Sequence, residues 1–248
     1  MSDEMILYST LAEHYFDIEA AGRDMRGEIE SLRGALRRRE ARDIIDLGCG
    51  SGEHVDALRK HRFRVEGLDI APEMIEVARN RFPDCIFHQG DMRDFHGDRI
   101  YDAAVCLFGS FDYILENEDV EKSLKNIREL LRPEGLFILE VWNAVPLYKI
   151  TRRALTPVVE VRSQGRVIGR DRGFVLMQPR PTLVQVNYVY HMGGRELSDR
   201  HIMRAYEVDE ITDFAEEAGF TVETVASGLD GLEYSPRRNR IVLFLRSS

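Results

Sequence analysis

The sequence lacks an excess of basic residues, and this absence limits its possible partners. Its 248 residues include 34 Lys and Arg against 43 Asp and Glu, which gives a formal net charge of -9. Proteins that hold nucleic acid through its phosphates usually present a basic face. The composition therefore argues against a nucleic-acid partner, and the basic runs at 37–39 and 237–238 are interpreted as solvated surface.

Cysteine is also scarce, and no cysteine–histidine spacing of the zinc type is present. The three cysteines, Cys49, Cys85 and Cys106, lie in or beside predicted strands, which favours reduced, buried thiols in a cytoplasmic protein. The N-terminus carries acids among its apolar residues, so neither a signal peptide nor a membrane span is expected there. The sequence predicts no metal site and no membrane association, and it leaves the oligomeric state open.

Strands and helices alternate over about the first 145 residues. Short, nearly apolar strands are separated by amphipathic helices, as in "DIIDL", "EHVDALRKH", "FRVEGLDI" and "PEMIEVARNRF". Strands that are apolar on both faces are typical of a parallel sheet covered by helices on both sides. The sequence therefore predicts an α/β fold of the Rossmann-like type.

The pattern changes to a period of two over about residues 158–206, most clearly in "LVQVNYVYHM". Turn signals between the runs predict an antiparallel insert of three or four strands. The resulting division assigns residues 1–150 and 207–248 to one domain and residues 151–206 to the insert. Because additions at the strand-end face of such sheets carry specificity, the insert is expected to bind substrate.

The stretch "DLGCGSGEH" places a glycine-rich turn between a strand and a helix. In a dinucleotide-binding fold, such a turn delivers N–H groups to a diphosphate, and its third glycine would fall at Glu53. A carboxylate at this helix N-terminus repels a diphosphate, and Asp46 adds negative potential. The loop therefore suits a nucleoside that has no phosphate and carries positive charge, and S-adenosylmethionine has these properties.

Two further acids follow the next strands along the chain. Asp69 ends the second strand, about 20 residues beyond the loop, where an acid can bind both ribose hydroxyls. Asp91 follows the third strand and is placed to accept a hydrogen bond from the adenine amino group, with Met92 packed on the purine. Each acid alone is typical of an ordinary turn. Their order at successive strand ends supports a nucleoside site.

These motifs resemble those of the class I S-adenosylmethionine-dependent methyltransferases. The likeness rests on "DLGCGSG", "GLDIAPEMI", "GDMRDF" and "YDAAVCLFGSFDYI", and it covers about residues 40–145 and the last 40 or so. It implies a seven-stranded sheet whose last strand is antiparallel. It also implies cofactor contacts from these motifs, and the predicted set is Asp46, Gly48, Cys49, Gly50, Asp69, Ile70, Met74, Asp91, Met92 and Leu107.

A narrower resemblance is to small-molecule N-methyltransferases, with those acting on amino sugars of antibiotics the nearest. It rests on "LAEHYFDI", "GDMRDF", the insert and "AYEVDEITDFAEEAGF". The likeness implies that Tyr15 and Arg23 close over the methionine end of the cofactor. The sequence departs from the sugar-amine pattern at Tyr113, where a histidine is expected, and this leaves the acceptor open.

Methyl transfer requires a well-placed nucleophile and a site closed to water. Aromatic rings also attract a sulfonium or a methylated amine. Tyr15 and Tyr113 are therefore candidate catalytic residues. Glu140 is a third candidate because it ends the fifth strand, where a carboxylate can fix an acceptor amine or cap a turn. A neutral amine needs no base, so no histidine is expected to act as one, and His191 and His201 are expected on the surface of the insert.

The predicted function is methylation of a small molecule, with an amine favoured as acceptor. Methylation of a hydroxyl or carboxylate is the alternative in the same fold. An RNA methyltransferase is a further alternative, although no D/N-P-P-Y motif is present. A non-catalytic regulator that binds S-adenosylmethionine is the alternative of another class.

Overall fold

The computed structural model describes residues 5–21, 23–150, 154–155 and 158–248. Its strands are β1 (Asp43–Leu47), β2 (Arg64–Asp69), β3 (Ile86–Gln89), β4 (Tyr101–Cys106), β5 (Leu131–Trp142), β6 (Ala154–Leu155), β7 (Val159–Ser163), β8 (Arg166–Pro179), β9 (Thr182–Met192), β10 (Arg195–Ala205), β11 (Phe220–Ala226) and β12 (Arg240–Ser247). Its α-helices are α1 (Tyr15–Ala20), α2 (Met25–Arg38), α3 (Glu53–Lys60), α4 (Pro72–Arg81), α5 (Asn117–Glu129), α6 (Ala144–Leu147) and α7 (Val208–Glu217).

The first sheet contains seven strands in the order β11-β12-β5-β4-β1-β2-β3. Strands β1 to β5 pair in parallel, whereas β12 runs antiparallel to both β5 and β11. Strand β1 lies between β2 and β4, and Ile44, Ile45 and Leu47 are fully buried there. Their burial on both faces explains the apolar run in the sequence, and the fold-class prediction is confirmed.

Helices cover both faces of this sheet. On one face, Leu124 of α5 and Ile211 of α7 belong to one apolar cluster, and on the other face Leu36, Leu58 and Ile75 of α2, α3 and α4 belong to a second. Local signals place the helix ends. Proline is the first residue of α4, where no backbone N–H is required, and Asp24 caps α2 by accepting from the Gly27 N–H at 3.0 Å.

The second sheet is antiparallel, with the order β10-β9-β8-β6 and with β7 also paired to β8. The described part of the chain therefore has five strands here, where the sequence predicts three or four. Strand β8 is 14 residues long, so it pairs with β7 near one end and with the two-residue β6 further along. The short strand is too brief to show a period of two.

Hydrogen bonds join the two sheets where the chain enters and leaves the insert. Tyr206 donates its backbone N–H to the Trp142 carbonyl at 2.8 Å, and Ala144 donates to the Tyr206 carbonyl at 2.9 Å. The last residue of β5 and the residue after β10 are thereby held side by side. The second sheet is thus fixed next to the carboxyl end of β5.

Residues 5–20, here called the N-terminal segment, pack on the second sheet. Leu7, Leu11 and Ile18 are buried in one apolar cluster with Val186 and Tyr190 of β9. The sequence predicts helix across this whole segment, but the α-helix covers only its last six residues, after a 3-10 turn. The domain boundaries proposed from the sequence stay a prediction.

The ends of the N-terminal segment are held by polar side chains of the second sheet. The Leu7 N–H donates to Asp199 Oδ2 at 2.8 Å. Nδ1 of His14 lies 2.7 Å from Oγ of Ser163. Among the described helices, none has the length and apolar character needed to cross a membrane.

Candidate active site

A cavity of about 640 Å³ opens at the carboxyl ends of β1, β2, β3 and β4. Parallel α/β sheets bind ligands at this edge, where the loops of neighbouring strands meet. The N-terminal segment covers the cavity from the other side. The residues around it include Met5, Tyr8, Ser9, Tyr15, Gly48, Gly50, Leu68, Asp69, Ile70, Gly90, Asp91, Met92, Arg93, Phe108, Ser110 and Tyr113.

The loop after β1 requires its glycines. Gly48 has φ +76° and Gly50 has φ +54°, in the left-handed region that side chains disfavour. A Cβ on Gly48 would lie 2.4 Å from Cβ and Oγ of Ser110, and a Cβ on Gly50 would lie 3.1 Å from the Tyr15 ring. The loop backbone therefore approaches the cavity closely, as a bound nucleoside requires.

Asp69 lies at the end of β2, beside this loop. Its Oδ2 accepts from the Gly50 N–H at 2.8 Å and its Oδ1 accepts from the Ala71 N–H at 2.9 Å. Burial raises the pKa of Asp69, and these N–H groups oppose that shift. Each carboxylate oxygen keeps a second lone pair, so the side chain can still accept two ribose hydroxyls.

Ile70 is unusual for a large apolar residue because 61% of its surface is exposed, and it lies at the cavity. Met92 lines the same cavity. Apolar surface left open beside a pair of carboxylates is suited to a flat ring such as a purine.

Asp91 is held by an arginine that the sequence analysis did not single out. Arg93 donates through Nε and Nη2 to Asp91 Oδ2 at 2.9 and 2.6 Å, and through Nη1 to Asp119 at 2.8 Å. Burial favours the protonated acid, but the contacts with Arg93 lower the pKa of Asp91 overall. Asp91 therefore stays a charged acceptor. The sequence "DMRD" places Arg93 two residues after Asp91, and this spacing could have predicted the pair.

Four other residues of the predicted cofactor set lie behind the cavity wall. Asp46, Cys49, Met74 and Leu107 are buried and are absent from the lining. Burial raises the pKa of Asp46 to about 6. These side chains support the loops, and their direct contact with a cofactor stays a prediction.

Tyr15 and Arg23 are expected to line one cavity, but the structure places them in two different cavities. Tyr15 lines the cavity. Arg23 instead pairs with Glu28 at 2.7 Å, and its guanidinium carbon lies 3.0 Å from the centre of the Phe108 ring. Phe108 lies between Arg23 and the cavity, since its ring is part of the lining of both this cavity and a second one.

The second cavity, of about 420 Å³, contains Glu140 together with Arg23 and Glu28. Glu140 is buried, and its Oε1 lies 3.1 Å from Nε of Arg240. The structure therefore brings Tyr15 and Tyr113 to the first cavity and leaves Glu140 outside it. Glu140 lies two residues before the end of β5. Its ion pair with Arg240 of β12 joins residues that are far apart in sequence, so the local sequence does not predict it.

Glu53 also has a different environment from the one expected. Its carboxylate accepts from Ser51 Oγ at 2.6 Å and pairs with Arg81 of α4. The cation neutralises much of the charge that the sequence analysis used to argue against a diphosphate. The glycine at position 52, with φ +87°, closes the turn before the helix begins.

A chain of four polar side chains runs from the cavity into the second sheet. The Tyr8 and Tyr113 hydroxyls are 2.8 Å apart, and the Tyr113 hydroxyl is 2.5 Å from Nδ1 of His201. Nε2 of His201 lies 3.0 Å from Oδ2 of Asp199, at an angle outside hydrogen-bond geometry. Both tyrosines line the cavity.

His201 is therefore buried, with 1% of its surface exposed, and the expectation that it lies on the surface is wrong. It shares one face of β10 with Asp199, Met203 and Ala205, and that face is covered by the N-terminal segment and the loop after β4. Of the residues between them, only Arg200 is exposed, since Ile202 is half-buried and Arg204 is buried, so the strand shows no clean alternation that would have revealed the buried face. His191 is partly exposed, as expected, and its Nε2 lies 3.2 Å from Asp171.

Asp112 fixes the loop that carries Tyr113. Its two carboxylate oxygens lie 3.2 Å from the Trp142 N–H at the end of β5, and the side chain is fully buried. Burial raises the pKa of Asp112 to about 8. The loop after β4 is thus tied to the neighbouring strand, which holds Tyr113 in place against the second sheet.

The cavity residues fit S-adenosylmethionine, on three structural observations. A Cβ at Gly50 would press on the Tyr15 ring that lines the cavity, Asp69 has free lone pairs, and Ile70 offers exposed apolar surface. In the described ranges, no group of three or more His, Cys, Asp or Glu side chains is arranged to hold a metal ion.

Comparisons with known proteins support this assignment. A family model described as a methyltransferase domain matches residues 44–135. The chain is 29% identical over 215 residues to dTDP-3-amino-3,4,6-trideoxy-alpha-D-glucopyranose N,N-dimethyltransferase of Streptomyces venezuelae, covering 85% of this chain and 89% of that one. It is 28% identical over 243 residues to dTDP-3-amino-3,6-dideoxy-alpha-D-glucopyranose N,N-dimethyltransferase of Streptomyces fradiae, covering 90% and 89%.

A solved structure shows the same likeness over nearly the whole fold. It is that of SAM-bound CalS10, an amino pentose methyltransferase from Micromonospora echinaspora involved in calicheamicin biosynthesis. The TM-score is 0.74 at 25% identity, and the match covers 93% of this chain and 94% of the other. The family and the cofactor predicted from the sequence are confirmed. The chain is an S-adenosylmethionine-dependent methyltransferase with a methyltransferase domain at residues 44–135, and S-adenosylmethionine is its methyl donor.

Proposed function

We propose that the protein methylates the amino group of a small molecule, and that this molecule is an amino sugar carried on a nucleotide. The observation that carries the proposal is the tyrosine wall formed by Tyr8, Tyr15 and Tyr113, which faces the Asp69 side of the cavity. The Tyr8 and Tyr15 ring centres are 5.7 Å apart, and those of Tyr8 and Tyr113 are 5.9 Å apart. Such rings attract a cationic amine by about 0.5–2 kcal/mol per contact.

The cofactor is proposed to lie on the strand-end side of this cavity. Gly50 supplies the close backbone approach, Asp69 accepts the ribose hydroxyls, and Ile70 and Met92 pack on the adenine, whose amino group donates to Asp91. When bound, S-adenosylmethionine supplies an electrophilic methyl group. The chain's own contribution is to hold the acceptor nitrogen beside that group and to exclude water.

The acceptor is proposed to enter from the side of the second sheet. On this proposal, residues 1–150 and 207–248 hold the cofactor and residues 151–206 form the substrate-binding part. The N-terminal segment, packed on the second sheet, contributes Tyr8 and Ser9 to the cavity. All three cysteines are free thiols, which agrees with the cytoplasmic location that we propose.

The direct test uses the acceptor of the Streptomyces venezuelae relative, dTDP-3-amino-3,4,6-trideoxyglucose, with S-adenosylmethionine. The matched control is the same sugar nucleotide with a hydroxyl in place of the amine. Mass spectrometry of the sugar and release of S-adenosylhomocysteine are measured together. We expect methyl groups on the amine and none on the control.

Three other outcomes would contradict the proposal in different ways. Methylation of the hydroxyl sugar alone would identify an O-methyltransferase. Turnover of simple amines but of neither nucleotide sugar would keep N-methylation and reject the sugar nucleotide. Binding of S-adenosylmethionine with no methylation of either sugar would reject the proposed acceptor.

A further inference from the structure

The hydroxyls of Tyr8 and Tyr113 and Nδ1 of His201 form two consecutive hydrogen bonds with the geometry of a proton relay, and the Asp199 carboxylate faces the far side of the imidazole as a charge contact. The three contacts measure 2.8, 2.5 and 3.0 Å, and they begin at the cavity and end inside the second sheet. The participants come from three distant parts of the chain. A purely structural role for one buried histidine would not require two hydroxyls leading to it from the cavity.

The charges fix the direction in which the hydrogens point. Asp199 accepts from the Leu7 N–H, and its carboxylate faces Nε2 of His201, so the neutral imidazole carries its proton on Nε2. Nδ1 is then an acceptor and must receive the Tyr113 hydroxyl proton. The Tyr113 oxygen in turn accepts from the Tyr8 hydroxyl, which leaves the lone pairs of Tyr8 directed toward a donor in the cavity.

The amine substrate of the proposed function must lose a proton before it can react. An alkyl amine with a pKa near that of Lys, about 10.4, is neutral in well under 1% of molecules at pH 7. The ammonium form has no lone pair and cannot attack a methyl group. A site that accepts the proton from bound ammonium can therefore use the form of substrate that is present in solution.

We propose that His201, acting through Tyr113 and Tyr8, accepts the proton that the acceptor ammonium gives up. The ammonium N–H bond breaks and its proton passes to the Tyr8 oxygen, while the Tyr8 proton moves to Tyr113 and the Tyr113 proton moves to Nδ1 of His201. Both tyrosines stay neutral, and the imidazolium forms beside the Asp199 carboxylate. The freed nitrogen then bonds to the methyl carbon as the C–S bond breaks and its electron pair leaves with sulfur.

The proton returns to solvent by the same path after product leaves the open cavity. Net charge is conserved at each step, and no oxidant, metal or further reactant is needed. This inference rests on the proposed function, since it concerns the amine of that reaction. It reverses the sequence-based expectation that no histidine takes part in proton transfer.

The groups that face His201 are suited to this role. Tyr188 of β9 packs 4.8 Å from its ring centre, Tyr8 of the N-terminal segment 5.5 Å, and Tyr113 of the loop after β4 5.8 Å. Asp199 of β10 supplies the negative charge. Burial alone would raise the pKa of Asp199, but its contacts with His201 and the Leu7 N–H lower it, so the carboxylate stays charged.

Burial also disfavours the deprotonated form of the Tyr8 and Tyr113 hydroxyls. It raises the pKa of both Tyr8 and Tyr113 well above the usual value. A stable tyrosinate is therefore disfavoured, and a proton that enters at Tyr8 is matched by one that leaves Tyr113.

The test is the pH dependence of kcat/KM with dTDP-3-amino-3,4,6-trideoxyglucose for wild type, His201→Asn and Tyr113→Phe. The variant His191→Asn is the matched control, because His191 also faces an aspartate in the second sheet but is partly exposed. Binding of S-adenosylhomocysteine and thermal melting are measured for every variant. These show whether a loss of rate is a loss of fold.

With the relay, wild type can use the ammonium form as well as the free amine, so its kcat/KM is already high at pH 7 and changes little as the pH rises through the pKa of the amine. Both relay variants react only with the free amine, so their kcat/KM rises about tenfold per pH unit up to the pKa of the amine. For an amine with a pKa of about 10.4, we expect a loss of more than about 1,000-fold at pH 7 that shrinks to about tenfold by about pH 9.5. The control variant should follow wild type at every pH.

Three results would overturn the proposal. A loss that is equal at all pH values would show a structural role for His201, and no loss would show no role. If wild type methylates the amine and either of these results is found, the relay is contradicted but the proposed function stands. If wild type does not methylate the amine, the proposed function and the relay are both contradicted.

A second readout needs no turnover. In ¹⁵N spectra of histidine-labelled protein, His201 should be the Nε2–H tautomer, with an Nδ1 signal that shifts in Tyr113→Phe and stays in place in His191→Asn. An Nδ1–H tautomer, or an Nδ1 signal that is unaffected by loss of the Tyr113 hydroxyl, would contradict the direction of the relay.

Discussion

The two walls of the active-site cavity are built in different ways. The strand-end wall consists of the loops after β1, β2 and β3, and the polar contacts within it join residues close in sequence: Gly50 and Asp69 are 19 apart, and Asp91 and Arg93 are 2 apart. The opposite wall consists of the N-terminal segment, Tyr113 and β10. Its contacts span 192, 105 and 88 residues along the chain.

This difference separates what is common to the fold from what is particular to this chain. Short-range contacts at the ends of parallel strands recur wherever the same motif is present, so the strand-end wall serves the cofactor. Long-range contacts depend on how the second sheet is set against the first. The opposite wall is therefore where the acceptor and its proton are handled.

Truncation of Leu11 should produce the largest change in stability, because it removes apolar contacts between the N-terminal segment and the second sheet. Leu11 is fully buried against the second sheet, and Leu11→Ala removes apolar contacts and leaves a cavity. We expect the free energy of unfolding to fall by about 2–5 kcal/mol, measured by urea denaturation.

The matched control is Leu232→Ala, because Leu232 is 45% exposed. Its unfolding free energy should stay within about 0.5 kcal/mol of wild type. If Leu11→Ala were equally harmless, the N-terminal segment would not pack on the second sheet in solution, and the contrast between the walls would fail.

Replacement of Asp69 tests the strand-end wall. Asp69→Ala removes the carboxylate that accepts from Gly50 and that is proposed to bind the ribose. We expect calorimetry to show S-adenosylmethionine binding weakened by about 1–3 kcal/mol, and the Tyr113→Phe variant of the opposite wall to bind it nearly as wild type does. The control is Asp84→Ala, an exposed acid away from the cavity.

Equal affinity in Asp69→Ala and wild type would contradict the assignment of the ribose to this carboxylate. If Asp69→Ala and Tyr113→Phe weakened S-adenosylmethionine binding equally, this would contradict the claim that the strand-end wall binds the cofactor and the opposite wall binds the acceptor.

Glu53 should give the smallest effect. Because Arg81 already neutralises this carboxylate, Glu53→Gln is expected to change the affinity for ADP by less than about threefold, or ~0.7 kcal/mol. Isothermal titration of ADP measures it. A gain of more than tenfold would show that the Glu53 charge does exclude diphosphates, as the sequence argument held.

The sequence was sufficient for the first sheet because its signals are local. The apolar run of β1, the proline that begins α4 and the acid that ends β2 each act within a few residues of where they stand. The same locality made the "DLGCGSG" loop and Asp69 recognisable as a nucleoside site.

Sequence reasoning went wrong where a distant partner decides the environment. Glu53 was read as a free charge, but Arg81 of the next helix pairs with it. Glu140 was placed at the acceptor site, but Arg240 of β12 holds it in the second cavity. His201 was placed on the surface because nothing near it in sequence shows that the N-terminal segment covers it.

A crystal structure with S-adenosylhomocysteine tests the central claim most directly, because Phe108 separates the proposed cofactor cavity from a smaller neighbouring cavity. The account predicts the nucleoside in the larger cavity, with its ribose on Asp69, its adenine against Ile70 and its sulfur on the side of the tyrosine wall. A nucleoside in the smaller cavity, beside Arg23 and Glu140, would contradict it.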